Sequence, residues 1–466
     1  MRILHYISLI ILCALAMMSC IEDGVSSNAS EQPVFSVDTL KMGEYFSQAC
    51  TPTSRFIVYN RYDKIMNIQS ISLSGSKRDV FRLNVDGISG KSFNNIQIRP
   101  NDSIFVFVEA NLPLNDAPGQ YKVECNMDFV THGKTNTVVL SALSENIIRF
   151  RAQKVEKDTW FTARLPFLVY DSLIVAENAK MTVDANARIY LHDGAYIKVY
   201  GTLVCNGTAE QPVNFTGDRS GFVASDIPYE LMSGQWDGIY FAPTSKNNKM
   251  TYTSVRNTSM GIVLDNVGAS PALTMIASQV HNSEGTVLAA LHSDVNAYAC
   301  EFSEAGMGLV YLQGGKHTFN HCTFANNYLF SAISGAAVQF YHLNAETDDE
   351  SGKPYVSANI DNCIIYGIGA DLSHGDLTGT SVKVRNTLLK SKGEDDDNFI
   401  KCIWGEDPLF YTVRSDYYFD YRLQAESPAI GAADPSLTSP SSRRDRYGNV
   451  QPAKPDLGAY VYRERE

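Results

Sequence analysis

A short phrase recurs in the second half of the chain: a small residue, then any residue, then an apolar β-forming residue. It begins at residues 253, 278, 300, 322, 363 and 386, so four of its five steps span 22 to 25 residues and one spans 41. A fixed period of this size is typical of stacked supersecondary units that share one continuous core. The copies are Thr253-Ser254-Val255, Ser278-Gln279-Val280, Cys300-Glu301-Phe302, Cys322-Thr323-Phe324, Cys363-Ile364-Ile365 and Asn386-Thr387-Leu388. The pattern predicts a solenoid.

Two positions of the repeat predict how successive coils stack. The first position is small or a thiol, and it is expected to form a buried ladder because cysteine acts as a small apolar side chain. Two residues after the apolar position, asparagine or glycine predicts a left-handed turn. The ladder set is Thr253, Ser278, Cys300, Cys322 and Cys363, and the turn set is Asn257, Asn282, Asn326 and Gly367.

The first half of the chain shows a different pattern. From 33 to 145, about seven short alternating runs are separated by turn residues, which is typical of a β-sandwich of immunoglobulin type. We expect 146–164 to be a linker, 165–430 to be the solenoid, and 431–466 to be a cap over its unpaired strand edges. The doubled step of the repeat is explained by an insertion at 344–356.

The beginning of the chain has the pattern of an export signal. Met1-Arg2 is followed by an almost wholly apolar run from Ile7 to Met18 and then by Ser19-Cys20. A positive start, a short apolar run and a small residue predict a signal peptide over 1–19. The apolar run is too short for a membrane-spanning helix, which needs roughly 20 apolar residues. The serine-rich stretch 20–32 predicts a flexible tether.

Residues Ala16 to Cys20 resemble the lipobox of bacterial lipoproteins. The resemblance implies cleavage before Cys20 and acylation of its thiol and new amine, which anchors the protein because each buried CH2 contributes about 0.8 kcal/mol. Residues Cys20 to Asp23 also resemble the acidic signal that sends lipoproteins of Bacteroides-like bacteria to the outer face of the outer membrane. The alternative is an ordinary signal peptide that ends at a chance cysteine.

The composition narrows the classes of partner and ligand expected for this protein. The formal net charge of −12 argues against a nucleic-acid partner. The nine cysteines include no CxxC-type spacing that would indicate a metal site. Cys50 and Cys125 both fall in the predicted sandwich and either form a disulfide, which an oxidising compartment permits, or remain free. No cofactor is expected, with calcium left open.

Several stretches resemble known folds. The stretch from Tyr59 to Gly87 resembles immunoglobulin-like spacer domains of bacterial surface proteins. The run of very short strands from Ser172 to Ile239 resembles the opening coils of right-handed parallel β-helix proteins of the pectate-lyase-like superfamily. The end, with Asp445 to Asn449 and Pro455 to Tyr460, resembles the C-terminal segment of secreted bacterial β-helix proteins. Together they imply an all-β protein with an N-terminal immunoglobulin-like β-sandwich followed by a right-handed parallel β-helix.

The same superfamily includes polysaccharide lyases and hydrolases, which raises an enzymatic function. A lyase needs a base and a group that neutralises the uronate carboxylate, and a hydrolase needs carboxylates facing one cleft. The motifs of pectin hydrolases and the calcium-binding aspartate pattern of pectate lyases are missing from the sequence. The best catalytic candidates are five polar residues close together in the sequence. The alternative is that these residues only form turns and cover the surface. They are Asp371, His374, Asp376, Lys383 and Arg385.

Two further sets are candidates for ligand binding. Asp348, Asp349 and Glu350 offer oxygen ligands for calcium, although such a run is also typical of a solvated loop. A group of tyrosines ahead of the expected cap predicts stacking on sugar rings, unless these rings pack beneath the cap. The tyrosines are Tyr411, Tyr417, Tyr418 and Tyr421.

These observations favour an outer-membrane surface lipoprotein whose β-helix presents an elongated, non-catalytic face to a polysaccharide, a host glycan or a host protein. The reason is a scaffold without a recognisable catalytic set. A polysaccharide lyase or glycoside hydrolase acting on an acidic polysaccharide is one alternative. A purely structural surface component is another, since a fold does not determine a function.

Overall fold

The computed structural model describes residues 24–219, 221–223, 227–343, 352–353, 355–415 and 417–464. The chain divides into two compact units, Met1–Asn146 and Ile147–Glu466. The described elements are β-strands apart from short 3-10 turns at Arg78–Val80, Tyr229–Leu231, Pro435–Leu437 and Pro440–Ser442. The predicted signal peptide and Cys20 lie outside the described residues. Across the described ranges, no helix is long and apolar enough to cross a membrane.

The N-terminal unit is a β-sandwich, as predicted. One sheet, here called sheet one, has the order β1-β3-β8-β5-β6, and the other has the order β2-β10-β9-β4-β7, in which only β2 and β10 are parallel. The strands are β1 (Val34–Phe35), β2 (Thr39–Phe46), β3 (Ser54–Tyr59), β4 (Met66–Ser74), β5 (Phe81–Val85), β6 (Ile88–Gly90), β7 (Ser92–Ile98), β8 (Ser103–Ala110), β9 (Gln120–Thr131) and β10 (Lys134–Glu145). Their inward rows form one core between the sheets.

The structure differs from one expectation about the first unit and decides a second. The flexible tether expected over 20–32 is wrong for its described part, because Val25 bridges to Ile65 and the amide of the buried Ser26 donates to the Ile65 carbonyl at 2.9 Å. The backbone at Val25 and Ser26 is therefore fixed to the sandwich. The disulfide left open between Cys50 and Cys125 is not formed, since both residues are free thiols.

The second unit is a parallel β-helix. Its coils contribute strands to three parallel columns, of which column two ends before the other two, and every pairing between coils is parallel. Column one contains β15 (Arg188–Leu191), β18 (Val213–Gly217), β21 (Thr253–Thr258), β24 (Gln279–Ser283), β27 (Glu301–Ala305), β30 (Thr323–Asn326), β33 (Ile364–Gly367), β36 (Leu388–Leu389) and β38 (Ile403–Trp404). Column two contains β16 (Tyr196–Val199), β19 (Gly238–Phe241), β22 (Ile262–Asp265), β25 (Leu288–Leu291), β28 (Val310–Gln313), β31 (Val338–Tyr341) and β34 (Leu372–Ser373).

Column three completes each coil. It contains β12 (Thr159–Phe161), β14 (Lys180–Asp184), β17 (Thr202–Asn206), β20 (Asn248–Thr251), β23 (Leu273–Ile276), β26 (Val295–Tyr298), β29 (Lys316–Asn320), β32 (Ser357–Asp361), β35 (Ser381–Arg385) and β37 (Phe399–Ile400). The long strand β13 (Phe167–Val175) pairs with both β15 and β16, and β11 (Ile148–Val155) pairs with β13. Inward side chains from all three columns stack into one continuous core.

The predicted domain boundaries are wrong at both ends of the β-helix. The expected linker 146–164 instead forms β11 and β12, which pair in parallel with the next coil. At the other end, the last strand of column one ends at Trp404, before the expected boundary at 430, and an antiparallel hairpin follows, formed by β39 (Phe410–Ser415) and β40 (Tyr418–Leu423). The β-helix therefore begins earlier and ends earlier than the apolar pattern indicated.

The predicted interior ladder is present. The register stacks Thr253, Ser278, Cys300, Cys322 and Cys363 in successive coils. The amide of Cys322 donates to the Cys363 sulfur at 3.3 Å, and the thiol of Cys363 donates to the Asp361 carbonyl at 3.2 Å, so the ladder takes part in the backbone hydrogen bonding of the core. The last copy of the phrase is shifted by one residue, because Ile364 pairs with Leu388 and Thr387 rather than Asn386 continues the ladder.

The predicted turn ladder is correct in part. Asn257 and Asn282 are left-handed, with φ of 68° and 57°, and Gly367 has φ of 135°. Asn326 is not left-handed. Glu304 holds the equivalent place one coil earlier, with φ of 56°. A glutamate in this conformation is unusual, because the left-handed region favours glycine and asparagine.

The C-terminal segment was expected to cap the unpaired strand edges at the end of the β-helix, and this is wrong, because the segment instead lies along the outer face of column one. The amide of Gly458 donates to the Asn362 carbonyl, and the amide of Ala459 donates to the Thr323 hydroxyl, both at 2.9 Å. Beneath it, the outward side chains of Ile364 and Leu388 are apolar and buried. An apolar outer row needs such a cover, which explains why the last segment packs on this flank.

Candidate functional site

The predicted catalytic residues near β34 hold local backbone. The carboxylate of Asp371 is buried and accepts the amides of Leu372 at 3.0 Å and Ser391 at 2.8 Å. His374 contacts the Gly375 carbonyl through Nδ1 at 2.8 Å. Asp376 accepts the amide of Thr378 at 2.9 Å. These contacts account for the three polar side chains as turn and backbone supports.

The other two candidates lie on β35 of column three. Lys383 donates through Nζ to the Asp397 carbonyl at 2.7 Å. Arg385 forms a two-point ion pair with the buried Asp361, with Nε at 2.6 Å and Nη2 at 2.8 Å from its carboxylate oxygens. The five candidates are thus divided between two columns, and catalysis by them stays a prediction.

Replacing Arg385 with alanine is expected to lower the free energy of unfolding by about 2 kcal/mol, because the buried Asp361 carboxylate loses a charged two-point partner. The matched variant Lys383→Ala on the same strand removes one hydrogen bond to a carbonyl and is expected to cost less than about 1 kcal/mol. Urea unfolding followed by circular dichroism measures both. Equal losses in the two variants would contradict a structural role for the ion pair.

The predicted glycan-binding tyrosines are divided between surface and core. Tyr418 is 55% exposed and Tyr411 is also exposed. Tyr417 is half-buried, whereas Tyr421 is buried and packs edge-on against Phe410 at 4.9 Å between ring centres. Tyr421 therefore packs beneath the C-terminal segment, and Tyr418 remains available to a ligand.

Tyr418 lies at the rim of a cavity of about 200 Å³ between column one and the C-terminal segment. We call this cavity the flank groove. It is lined by Ala209, Pro212, Tyr252, Gln279, Glu301, Tyr418, Phe419, Asp420, Tyr421, Arg446, Tyr447 and Tyr460. Outward residues of β24 and β27 form its floor, and the hairpin and the tail form its wall.

The floor of the flank groove is a hydrogen-bonded polar network. The amide of Gln279 donates from Nε2 to Glu301 at 2.7 Å, and the Ser303 hydroxyl donates to the same carboxylate at 2.6 Å. Tyr460 donates its hydroxyl to the other oxygen of Glu301, and Arg446 donates to the side-chain oxygen of Gln279. The buried carboxylate is thus fully partnered, which fixes its position.

The wall of the flank groove offers exposed aromatic rings. Tyr447 is 53% exposed and its ring centre lies 5.8 Å from that of Tyr460. The guanidinium of Arg422 lies 4.9 Å above the Tyr447 ring and pairs with the buried Asp420 at 2.6 Å. Because the ion pair with Asp420 fixes the position of Arg422, the contact with Arg422 also restrains the Tyr447 ring.

A second buried carboxyl group, that of Glu304, lies behind the groove on β27, the strand that also carries Glu301. The hydroxyl of Tyr421 donates to Oε1 of Glu304, and the amide of Asn327 donates to the same oxygen at 3.3 Å. Oε2 of Glu304 has no hydrogen-bond partner among the described residues. Burial raises the pKa of Glu304 to about 8, although both hydrogen bonds oppose the rise. Glu304 is therefore protonated at neutral pH.

The neighbouring coil adds positive charge beside the groove. Arg256 and His281 are outward residues in register on β21 and β24. Burial lowers the pKa of His281 well below its ordinary value, and the charges of Arg256 and Arg446 lower it further. His281 is therefore neutral at pH 7, which leaves the positive charge at this place to Arg256 and Arg446.

The sequence alone did not reveal this site. Glu301 stands at the position of the repeat that takes any residue, so the phrase gave no reason to select it. The available signal was Glu304, an acidic residue in a row otherwise filled by asparagine and glycine.

No group of three or more histidine, cysteine or carboxylate side chains in the described ranges is arranged to hold a metal ion. The calcium candidates Asp348, Asp349 and Glu350 lie outside the described residues. Burial raises the pKa of Cys300 and Cys322 well above the ordinary value, so these two thiols are protonated at neutral pH.

No protein-family model and no curated protein matches this chain. Among solved structures, the chain is similar in part to a family 123 glycoside hydrolase from Clostridium perfringens, studied for the hydrolysis of glycolipid glycans. The identity is 12%, the TM-score is 0.18, and the match covers 25% of this chain and 26% of that chain. The chain thus matches about a quarter of the hydrolase, an extent that supports no conclusion about activity.

Proposed function

We propose that this protein is a surface lipoprotein that binds glycans, without cleaving them, in the flank groove of its β-helix. The observation that carries the proposal is the pairing of exposed tyrosine rings, Tyr418 and Tyr447, with a fixed floor of hydrogen-bonding groups. Aromatic faces stack on sugar rings, while amides, carboxylates and guanidinium groups bind sugar hydroxyls. The groove offers both.

The cellular setting of the proposal comes from the sequence. The signal-like start, the lipobox-like Ala16 to Cys20 and the following acidic residues support a lipid anchor at Cys20 and a place on the outer membrane of a Bacteroides-like bacterium. The order of the coil phrases supports membership of the pectate-lyase-like superfamily. The proposed partner is a polysaccharide or a host glycan, and a host protein is the alternative.

The first experiment is size-exclusion chromatography of the full-length protein with a panel of acidic and neutral polysaccharides, with calcium and without. Intact polysaccharide that co-elutes with the protein is the expected result. Alanine replacement of Tyr418 or Tyr447 is expected to weaken binding about three- to tenfold each, because each ring supplies one stacking contact. Shortened polysaccharide would overturn the non-catalytic reading, and no effect by any member would favour a protein partner.

A matched variant separates the groove from the rest of the β-helix. Tyr341 is an exposed tyrosine on β31 of column two, away from the groove residues. Tyr341→Ala is expected to leave affinity unchanged, and thermal unfolding of all three variants checks that the fold is intact. Equal losses from Tyr341→Ala and Tyr447→Ala would place binding on another face.

A second candidate function is glycoside hydrolysis, favoured by one observation. Glu304 is a carboxyl group that burial keeps protonated at neutral pH, as a general acid requires, and Glu301 on the same strand lines the groove. We rank hydrolysis below binding because Glu304 does not line the groove. Tyr421, which donates a hydrogen bond to Glu304, lines the groove instead. Polysaccharide shortening that is lost in both Glu301→Gln and Glu304→Gln would establish this function.

A further inference from the structure

The N-terminal sandwich carries a cavity of its own, in addition to the flank groove of the second unit. A concave region of about 760 Å³ lies on the outer face of sheet one. It is lined by Thr53, Arg82, Leu83, Asn84, Gly87, Ser89, Gly90, Lys91, Phe107 and Glu109. Its volume lies within the range of small-ligand sites, about 300–1,000 Å³.

Beside this cavity, the outer face of β8 presents two aromatic rings. Ile104, Val106 and Val108 alternate inward on the strand, which turns Phe105 and Phe107 outward. The two rings are stacked, with centres 6.0 Å apart and planes 26° apart, and Phe105 is 40% exposed. The guanidinium of Arg55 lies 5.4 Å from the centre of Phe105. The two roughly parallel rings lie on the outer face of the sheet, outside the core between the sheets, where their faces and edges are open to a ligand.

Polar groups on the neighbouring strands surround the platform. In the register of sheet one, Phe107 lies between Arg55 of β3 and Asn84 of β5, and Arg82 lies beside Glu109. Asn84 donates to the Ser89 hydroxyl at 3.2 Å, while its side-chain oxygen is buried without a hydrogen-bond partner in the described structure. An acceptor left in this state is satisfied when a ligand donor reaches it.

Donors and acceptors both converge on the cavity. The Thr53 hydroxyl donates to Glu109 at 2.5 Å, and Glu109 retains further acceptor capacity. Arg82 is exposed and supplies donors, whereas Lys91 is paired with Asp79 at 2.8 Å. A mixed set of donors and acceptors beside flat rings matches sugar hydroxyls, which donate and accept at once.

We propose that the outer face of sheet one is a second glycan-binding site, which takes a short oligosaccharide with one pyranose ring stacked on Phe107 and hydroxyls bonded to Asn84, Arg82 and Glu109. A peptide strand added at the edge is disfavoured, because the edge strand β6 spans only Ile88–Gly90 and offers a short ladder. The sandwich is then a binding module in its own right, independent of the flank groove.

The test uses the full-length protein carrying Tyr418→Ala and Tyr447→Ala together, so that binding in the flank groove is weakened and the remaining signal comes mainly from the sandwich. An array of defined acidic and neutral oligosaccharides is probed with this background and with three additional replacements. Phe107→Ala and Arg82→Ala are expected to lower the remaining glycan signal about tenfold or more. Leu114→Ala, an exposed apolar residue of the same unit, is expected to leave it unchanged.

The outcomes separate the two sites. Loss with Phe107→Ala and Arg82→Ala, and retention with Leu114→Ala, supports the site and shows by the sugars bound whether acidic or neutral glycans are preferred. Arg82 is exposed, so its variant answers the question even where Phe107→Ala lowers stability. No residual signal in the double-tyrosine background, or a signal indifferent to both replacements, overturns this proposal without affecting the flank groove. Capture of a protein with no glycan signal also overturns it.

Discussion

Replacing Phe302 with alanine is expected to lower the free energy of unfolding by about 3–5 kcal/mol. Phe302 is fully buried on β27 and is stacked on Phe324 of the next coil, with ring centres 5.3 Å apart and planes 14° apart. It also meets Phe319 edge-on at 5.9 Å. Removing the ring therefore opens a cavity at a point where two coils and two columns meet, and the neighbouring strands cannot close it without breaking their register.

Phe222 provides the matched control. It is 62% exposed, so Phe222→Ala removes a ring of the same size from water and is expected to change stability by less than about 0.5 kcal/mol. Chemical unfolding of both variants, followed by far-ultraviolet circular dichroism, gives the comparison. Similar midpoints for Phe302→Ala and Phe222→Ala would show that the stacked aromatic row does not hold the coils together.

The sequence predicted the coils because their physics is local and periodic. A residue that points inward in one coil must stack on its counterpart in the next, so small residues recur at the ladder and apolar residues recur two places later. The same reasoning failed at the first coil. β11 has only one buried residue, Val155, because it has a neighbour on one side only, and it therefore lacks the apolar alternation of an inner strand.

The flank groove was beyond sequence reasoning for a different reason. Arg446 and Gln279 are hydrogen-bonded although they lie 167 positions apart, and Tyr460 and Glu301 are 159 apart. No spacing rule links such residues, because their meeting depends on where the last segment packs after the β-helix has formed. Two of the predicted tyrosines, Tyr418 and Tyr421, line the groove, but the pattern gave no sign of its floor.

The buried Glu304 makes the stability of the β-helix depend on pH. In the unfolded chain this carboxyl titrates near its ordinary value of 4.5, whereas burial raises its pKa in the folded protein to about 8. The groups that face it are Tyr421, Asn327, Glu301 and Arg414, and the fully buried Tyr421 cannot supply a charge because its own pKa is raised well above the ordinary value. Between pH 4.5 and 8 the folded state holds a proton that the unfolded state releases.

The sign of the effect follows from proton linkage. Since the folded state binds more protons within this window, stability is highest below pH 4.5 with respect to this group and falls as pH rises through 8. The slope is at most about 1.4 kcal/mol per pH unit. A loss on the order of several kcal/mol therefore accumulates by pH 9, where the buried carboxylate is charged and its Oε2 lacks a hydrogen-bond partner among the described residues.

Glu304→Gln is expected to remove this loss. Glutamine keeps an acceptor for the Tyr421 hydroxyl and carries no charge, so the variant should match the parent protein near pH 4.5 and exceed it by several kcal/mol at pH 9. Urea unfolding at half-unit pH steps gives the two curves. Glu177→Gln removes an exposed carboxylate and is expected to follow the parent protein at every pH. If the stability of Glu304→Gln also paralleled that of the parent protein from pH 4.5 to 9, Glu304 would be ionised in the folded protein. The pH dependence assigned to Glu304 and its suitability as a general acid would then both be contradicted.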